Sequence, residues 1–333
     1  MQEQLPRDAI MNTPPKSFSP WCLGASLYMP AHRRDLIDYA NGEKLAALRS
    51  MIFCTEDAVS HAEVDSSLRH LGLCLQGFKD VPNRLRFIRA RNPEILARLL
   101  DLPDIEKIDG FVLPKFNRSN FHAYFDQLQG TAFKIMPTLE TRDVFDAGAM
   151  HELRQGLSQD AIFARILMLR IGGNDLMNLL GIRRPRNMTL YETPLGHVIA
   201  QLVTAFKPYG FSLSAPVFEY LEDAATLQKE IRLDLAHGLI GKTAIHPGQV
   251  PVIEAMYGVD NEDYEMALAL NRSSSPAVFR MHNAMCEVET HKQWGRDIID
   301  RRQCYGDRRT LVLPEYSESP CLADVSQVVD RMG

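Results

Sequence analysis

The sequence predicts an α/β protein, a (β/α)8 TIM barrel followed by a C-terminal helical extension. Short apolar runs rich in β-branched and aromatic residues alternate with segments of helical periodicity, which is typical of parallel strand–helix–strand units. Eight such units close a barrel. The eight runs are ASLYMP (25–30), SMIFC (50–54), LRFIRA (85–90), GFVLPK (110–115), FKIMPTLE (133–140), ILMLRIGG (166–173), FSLSAPVF (211–218) and KTAIHP (242–247).

The segments between these runs show helix signals. PEILARLLDLPDIEK has helical spacing of its apolar residues, and TPLGHVIAQLVTAFKPYG ends in Gly210, a residue type that suits the end of a helix. On this basis the chain divides into an irregular N-terminal arm (1–22), a barrel catalytic domain (23–258) and a C-terminal helical extension (259–333).

The extension is predicted to contain one long amphipathic helix over residues 277–302. In this helix Val278, Met281, Met285 and Val288 recur at three- and four-residue spacing as one apolar face. An apolar face outside a finished barrel must pack either on its own barrel or on a neighbouring subunit. We therefore expect a homo-oligomer whose contacts include this helix.

The composition indicates a globular protein without a nucleic-acid or membrane partner. The chain has 333 residues, of which 45% are hydrophobic, and a net charge of −5, so no basic surface for nucleic acid is expected. No apolar stretch approaches the roughly 20 residues that cross a bilayer, and the polar, proline-rich start is unlike a signal peptide. We expect a cytoplasmic protein. The six scattered cysteines include no CxxC pair and are expected to be free thiols.

Two acidic residues follow neighbouring strand-like runs. Glu140 closes KIMPTLE, and Asp175 closes LMLRIGGND one strand–helix repeat further along. Because the carboxyl ends of consecutive barrel strands meet at one rim, these carboxylates are expected to converge. A pair of carboxylates, with water or substrate at the other positions, suits Mg²⁺. Helix capping would explain either residue singly, but the arrangement of both favours a Mg²⁺ site.

Seven short motifs follow one another along the predicted barrel, and each resembles a motif of one enzyme superfamily. SLYMPAHR is close to LFVPGDR, FCTEDAV to LDLEDAV and FIRARN to VRVN. Further along, GFVLPK is close to GIVLPK, IMPTLET to LIET, IGGNDLMNLLG to FGxxDLxxxLG, and GLIGKTAIHPGQV to GFxGKxxIHPxQ. The chain thus resembles the HpcH/HpaI aldolase and citrate lyase β-subunit-like superfamily, most of all its divergent C–C bond lyase branch.

The resemblance implies an enzyme that uses Mg²⁺ to cleave or form C–C bonds next to a carboxylate or thioester. It implies that Glu140 and Asp175 bind the metal and that Gly172 and Gly173 contribute to substrate binding. Barrels of the superfamily commonly form trimers or hexamers in which C-terminal elements reach the adjacent active-site mouth. A homotrimer or homohexamer is therefore expected.

The sequence also departs from the superfamily pattern. Cys54 and Thr55 replace an Asp-Leu pair, Ala31 and His32 replace Gly-Asp, and residues 190–219 diverge. The resemblance therefore does not imply citrate as the substrate.

Arg89 and Glu56 are the first candidates for catalysis. Arg89 closes the third apolar run, and its planar guanidinium is expected to grip a carboxylate or enolate oxygen in the barrel mouth. The alternative is an exposed cation at a strand end, and the matching register favours the mouth. Glu56 follows the second run and would hold a metal-bound water or orient Arg89. Asp57, beside it, is interpreted as a helix cap.

Lys115 and Arg33 are further candidates with open alternatives. Lys115 follows GFVLP and would bind an anionic substrate group, or form a Schiff base if burial lowered its pKa. The superfamily pattern favours the non-covalent role, and an ion pair with Glu140 or Glu56 explains the lysine about equally well. Arg33 either binds a distal carboxylate or phosphate of the substrate or is a solvated charge.

The histidines carry less weight. His246 in the IHP motif is expected to brace its loop, and His32 is a candidate base because of its place in the first motif. His282, Cys286 and Glu289 share helical spacing outside the barrel, which favours a helix surface or subunit contact over a metal face.

Three functions remain as hypotheses. The leading one is a Mg²⁺-dependent C–C bond lyase or aldolase that acts on a 2-oxo acid, hydroxy acid or acyl thioester, in which the metal and Arg89 stabilise an enolate. A thioester hydrolase on the same barrel is the nearest alternative. A non-catalytic component of a biosynthetic complex differs in kind, and three converging charges argue against it.

Overall fold

The predicted barrel is present in the computed structural model, which describes residues 19–308. Its strands are β1 (Ala25–Pro30), β2 (Ser50–Cys54), β3 (Leu85–Arg89), β4 (Gly110–Leu113), β5 (Lys134–Leu139), β6 (Leu169–Ile171), β7 (Leu213–Ser214) and β8 (Lys242–Ala244). They are parallel neighbours in the order β7-β6-β5-β4-β3-β2-β1-β8. A parallel bridge between Ala215 and Lys242 joins the two ends of the sheet. All eight predicted strands are confirmed.

Helices lie between the strands and after the last barrel strand, and most of them have buried apolar residues. They are α1 (Leu36–Ala40), α2 (Val64–Gln76), α3 (Pro93–Leu100), α4 (Phe121–Leu128), α5 (Ala147–Leu157), α6 (Asp160–Phe163), α7 (Gly173–Leu179), α8 (Leu195–Phe206), α9 (Ala224–Ala236), α10 (Gln249–Met256), α11 (Asn261–Asn271) and α12 (Val288–Tyr305). After α8 a short 3-10 turn ends at Gly210 with φ 86°. Glycine adopts this backbone conformation without steric strain, so the predicted stop signal is confirmed.

A buried ionic network lies between β8 and α9. Lys242 donates to Glu230 Oε1 at 2.9 Å and to Asp234 Oδ2 at 2.8 Å, and none of the three side chains is exposed. Arg184 pairs with the other oxygen of Glu230, and Tyr191 donates its hydroxyl to Asp234 at 2.7 Å. The network joins the last barrel strand to the preceding helix and to the segment after α7.

The prediction of one helix over residues 277–302 is wrong in its first part. Val278–Met281 (β9) and Ala284–Glu287 (β10) form an antiparallel hairpin before α12 begins. The turn residues His282 and Asn283 have φ values of 45° and 62°, which suit a two-residue hairpin turn. Local turn chemistry therefore overrides the helical spacing of the apolar residues.

The apolar face assigned to that helix is wrong for the same reason. Val278 and Met285 lie on the outer face of the hairpin, where they are 54% and 65% exposed, while Cys286 is buried on the other face. His282, Cys286 and Glu289 do not share a helix surface, because the first is in the turn, the second in a strand and the third in α12.

The described ends of the chain meet at α12. Cys22 lies in a short 3-10 helix over Pro20–Leu23, and its Sγ is 3.5 Å from that of Cys304. The guanidinium of Arg49 lies 4.8 Å from the ring centre of Tyr305. The cysteines of residues 19–308 are free thiols, as predicted. Residues 1–18 of the predicted arm and 309–333 of the extension are outside the described part. In residues 19–308, no helix is both long and apolar enough to cross a membrane.

Candidate active site

The two predicted metal-binding carboxylates lie at the carboxyl ends of β5 and β6. Glu140 directly follows β5, and Asp175 is the third residue of α7. The N-cap position of α7 is Gly172 rather than Asp175, so capping does not explain this aspartate. Glu140 is buried, whereas the Asp175 side chain is 32% exposed. The rim thus offers one enclosed and one accessible carboxylate.

Glu140 is held in a tight environment. Its Oε1 accepts a hydrogen bond from the Lys115 backbone N–H at 2.7 Å and lies 3.8 Å from Arg89 Nη2. Burial raises the pKa of Glu140 to about 7, although Arg89 acts to lower it, and the charge of Asp175 raises it further. A Cβ at Gly172 would lie 2.1 Å from Oε2. A glycine is therefore needed beside this carboxylate, and the carboxylate would be stabilised by a further cation.

Gly172 and Gly173 form the turn from β6 into α7. A Cβ at Gly173 would lie 3.0 Å from the Cβ of Pro216 and 3.2 Å from Leu190. Both glycines thus allow close packing at the rim. Their predicted contact with the substrate remains a prediction.

Arg89 is the last residue of β3 and its side chain is only 12% exposed. Its Nη2 pairs with Glu56 and lies 2.8 Å from Asp57 Oδ2. The guanidinium carbon is 5.8 Å from the ring centre of Tyr28. Contacts on several sides therefore hold the guanidinium in one orientation at the mouth.

Glu56 and Lys115 complete the ionic contacts. Burial raises the pKa of Glu56 in spite of its pairing with Arg89 and Lys115. Lys115 Nζ also lies 3.5 Å from Asp57 Oδ1 and 3.8 Å from Asp175 Oδ1. Burial acts to lower the pKa of Lys115, but the surrounding carboxylates outweigh it and raise the pKa. A firmly protonated lysine does not suit Schiff-base formation, which favours the non-covalent role.

Asp57 belongs to this group, and its interpretation as a helix cap is wrong. The helical segment that follows is capped by Ser60, in a reciprocal capping box with Glu63. Asp57 instead faces Arg89 and Lys115. Ser60 occupies the N-cap position, and its backbone N–H and hydroxyl donate to the Glu63 carboxylate at 3.3 and 2.5 Å.

Together these side chains form the mouth cluster, which carries excess negative charge. Its members are the carboxylates of Glu56, Asp57, Glu140 and Asp175 and the cations Arg89 and Lys115. Two positive and four negative charges leave a formal charge of −2 when all groups are ionised. A divalent cation would balance it, so the mouth fits Mg²⁺ held by two carboxylates. No group of three or more His, Cys, Asp or Glu side chains in residues 19–308 has a metal-binding arrangement, so water or substrate would fill the remaining positions.

Arg33 and His246 contact residues that do not belong to the mouth cluster. Arg33 pairs with Asp35, and its guanidinium lies 5.1 Å from the Tyr39 ring centre. Its binding of a substrate anion remains a prediction. His246 Nδ1 accepts a hydrogen bond from the Gly248 backbone N–H at 3.1 Å, which fits the predicted bracing of the loop. His32 is exposed on the turn after β1.

Sequence reasoning missed two residues inside the barrel. The Tyr28 ring lies 5.4 Å from the guanidinium carbon of Arg170, as well as near Arg89. Arg170 is itself almost fully buried. The alternation of side-chain direction along the strands could have identified both residues, since every second residue of a barrel strand faces the interior.

The class of protein follows from the comparison with known families. A family model described as C-C_Bond_Lyase of the TIM-Barrel fold matches residues 17–307. The chain therefore belongs to this family of barrel proteins, and the resemblance seen in the sequence motifs is confirmed.

Relatives of known activity include a (3S)-malyl-CoA thioesterase of Cereibacter sphaeroides. It is 27% identical over 279 residues, which cover 82% of this chain and 86% of the relative. A second (3S)-malyl-CoA thioesterase from the same species is 26% identical over 279 residues, with the same coverage.

Solved structures support the fold. CitE of Mycobacterium tuberculosis, in complex with magnesium, acetoacetate and coenzyme A, has a TM-score of 0.61 at 21% identity and covers 84% of this chain and 98% of its own. Malate synthase of Haloferax volcanii, as a pyruvate and acetyl-CoA complex, has a TM-score of 0.58 at 14% identity, over 72% of this chain and 69% of its own.

Proposed function

We propose that this chain is a Mg²⁺-dependent C–C bond lyase or aldolase that acts on a 2-oxo acid, a hydroxy acid or its acyl thioester through an enolate. The observation that carries this proposal is the mouth cluster. In it Glu140 lies 3.8 Å from Arg89 and Asp175 lies 3.8 Å from Lys115, and the cluster has a formal charge of −2 when all groups are ionised. The complexes of structural neighbours with magnesium support the choice of metal.

Each residue has a role in this proposal. Glu140 and Asp175 would hold the ion, and bound Mg²⁺ would act as a Lewis acid toward a substrate oxygen. Arg89 donates to the oxygen on which negative charge develops when the C–C bond breaks. Glu56 orients Arg89 through their ion pair, and Lys115 holds Glu56 from the other side while remaining protonated.

Hydrolysis of an acyl thioester is the second candidate, favoured by the activity of the Cereibacter relatives. Glu56 is the residue that would take a proton from the attacking water, because burial raises its pKa and leaves it more basic than an exposed carboxylate. The non-catalytic alternative requires no such cluster.

The products of (3S)-malyl-CoA distinguish the two reactions. A lyase releases glyoxylate and acetyl-CoA without consuming water, so a carbonyl reagent detects the product and a thiol reagent does not. A hydrolase consumes water and releases malate and free CoA, which the thiol reagent detects. We expect the lyase products, a requirement for Mg²⁺, and loss of both activity and calorimetric Mg²⁺ binding in Asp175→Asn.

The matched control is Asp65→Asn, which removes an exposed carboxylate that pairs with Arg98 on the protein surface. It should retain activity and Mg²⁺ binding. Equal Mg²⁺ affinity in the wild type, Asp175→Asn and Glu140→Gln would contradict the metal site. Folded protein that releases neither set of products from hydroxyacyl thioesters, and cleaves no 2-oxo or hydroxy acid, would contradict the enzymatic function.

We further propose that the chain forms a homotrimer or homohexamer through its C-terminal segment. The β9–β10 hairpin supports this proposal, because its outer face exposes the apolar side chains of Val278 and Met285 outside the barrel. Exposed apolar side chains that lie together are typical of subunit contacts.

Light scattering tests this assembly. The wild type should have a multiple of the 37.7 kDa chain mass, and the double variant Val278→Asp/Met285→Asp should dissociate because two buried charges would face the partner. Leu73→Asp, at an exposed leucine on α2, is the control and should leave the mass unchanged. A wild type that is monomeric at micromolar concentration would refute the oligomer.

A further inference from the structure

Arg170 is a buried cation without an acidic partner in residues 19–308. It is the middle residue of β6 and is 2% exposed. Its Nη2 donates to Thr243 Oγ1 at 2.7 Å, its Nη1 lies 3.8 Å from Met136 Sδ, and its guanidinium carbon is 5.4 Å from the Tyr28 ring centre. None of these groups is an anion. A buried charge without a counter-ion is unfavourable, so an unpaired arginine calls for a physical explanation.

Other buried arginines of the chain show the contrast. Arg184 pairs with Glu219 and Glu230. Arg86 donates to the backbone carbonyls of Ala40 and Lys79. Carboxylates or several carbonyl oxygens therefore satisfy these guanidinium groups, whereas one hydroxyl, a thioether and an aromatic ring surround that of Arg170.

The guanidinium of Arg170 lies inside the barrel. The groups that it contacts belong to β8 and β1 as well as to the adjacent β5, and the first two strands are not neighbours of β6 in the sheet. Thr243 and Tyr28 retain partial exposure although they contact this interior group. Two of the residues around Arg170 therefore extend to the protein surface.

Two hydroxyl groups beside Arg170 also lack a partner in the described residues. Thr138 on β5 and Ser214 on β7 are the register partners of Arg170, so the three side chains point to the same side of the sheet. Thr138 Oγ1 and Ser214 Oγ are buried without a hydrogen bond. Buried polar groups are nearly always paired, and two free hydroxyl donors beside a cation suit an anionic acceptor.

The position of this group relates it to the mouth cluster. Thr138 lies on β5 two residues before Glu140, which directly follows the strand, and two residues of extended chain span about 6–7 Å. The Tyr28 ring centre lies 5.4 Å from the guanidinium carbon of Arg170 and 5.8 Å from that of Arg89, so this ring links Arg170 to the mouth cluster. A short carbon chain that carries a carboxylate at each end can extend from the mouth cluster to Arg170.

We propose that Arg170, Thr138 and Ser214 form an anion subsite in the barrel that binds a second carboxylate of the substrate. The guanidinium donates two hydrogen bonds to the carboxylate, and the hydroxyls donate to its remaining lone pairs. Arg170 thus selects dicarboxylic over monocarboxylic skeletons. That the bound dicarboxylate is the substrate rests on the proposed function, but the subsite itself can be measured by equilibrium binding alone.

Calorimetry with succinate and butyrate tests the subsite, because these acids share a four-carbon chain and differ by one carboxylate. The wild type should bind succinate more tightly than butyrate, with and without Mg²⁺. Arg170→Met, which keeps the length of the side chain without its charge, should weaken succinate binding at least about tenfold, as expected for loss of hydrogen bonds to a charged group. Butyrate binding should not change, and Arg170→Lys should retain part of the preference.

Arg165→Met is the matched control. Arg165 is a partly buried arginine whose guanidinium donates to the carbonyls of Phe133 and Leu128, so the same substitution there should leave the succinate-to-butyrate ratio unaltered. The proposal is overturned if the wild type binds the two acids equally or binds neither. It is also overturned if Arg170→Met lowers thermal stability but keeps the wild-type ratio.

If Arg170→Met does not fold, the nearly isosteric variants Thr138→Val and Ser214→Ala replace it, and each should weaken succinate binding severalfold. An unchanged succinate affinity in both would overturn the subsite. Failure of the proposed reaction is distinguishable, because a protein that releases no product but discriminates the two acids retains the subsite. Conversely, turnover of (3S)-malyl-CoA without this discrimination refutes the subsite alone.

Discussion

Arg89→Lys is expected to lower kcat of the proposed reaction by about 100- to 1,000-fold, the usual effect of removing a hydrogen-bond donor to a developing oxyanion. The charge is kept, but one ammonium group cannot reproduce the planar, two-pronged donor geometry of a guanidinium. Arg89 is also positioned by Glu56 and Asp57 and by the Tyr28 ring, and a lysine would lose this orientation. Steady-state kinetics with saturating Mg²⁺ measures the effect.

The control for this variant is Arg98→Lys, at an exposed arginine that pairs with Asp65. It should have wild-type kinetics. If Arg89→Lys changes only KM, the residue binds the ground state and the transition state equally, and its role in stabilising the enolate is refuted.

Lys242→Met is expected to lower the free energy of unfolding by about 3–5 kcal/mol, because removal of one partner leaves buried charges uncompensated. Lys242 is the cation between Glu230 and Asp234, and all three side chains lack exposed surface. Arg184 still pairs with Glu230 in the variant, so the loss is concentrated on Asp234. Urea denaturation followed by circular dichroism measures the change.

The loss of unfolding free energy in Lys242→Met should also depend on pH. Burial already raises the pKa of Asp234 in the intact protein, and loss of Lys242 raises it further. A carboxyl with a raised folded pKa destabilises the fold as the pH rises through that pKa, so the deficit should shrink as the pH is lowered. Lys79→Met, which breaks an exposed pair with Glu43, should leave stability nearly unchanged. An equal effect of the two substitutions would contradict the structural role of the network.

Much of the barrel could be predicted from the sequence because its parallel strands are short apolar runs separated by helices. The SMIFC run is strand β2 over Ser50–Cys54, and all five residues are buried. Shorter strands lose this agreement at their ends: the FSLSAPVF run over 211–218 contains only Leu213–Ser214 as a strand. Strand ends depend on hydrogen bonds to neighbouring strands, which local composition does not encode.

The candidate site could be predicted in part for a similar reason. Glu140, Asp175 and Arg89 follow recognisable runs, and the topology of a barrel brings the ends of those runs to one rim. Asp57 is not the cap, because several nearby polar residues compete for that position and Ser60 occupies it. Arg170 was missed, because the meaning of a charged residue inside a strand depends on what lies across the barrel.

The amino-acid sequence is enough to predict the class of fold, its eight strands and the family, since periodicity and motif order are local properties of the chain. The pairing of charges, in contrast, depends on the tertiary structure. Lys242 is neutralised by residues of α9, whereas Arg170 faces the interior and contacts no carboxylate in residues 19–308. The physical reason is that electrostatic energy depends on distance and burial between residues far apart in the chain, and folding alone sets both.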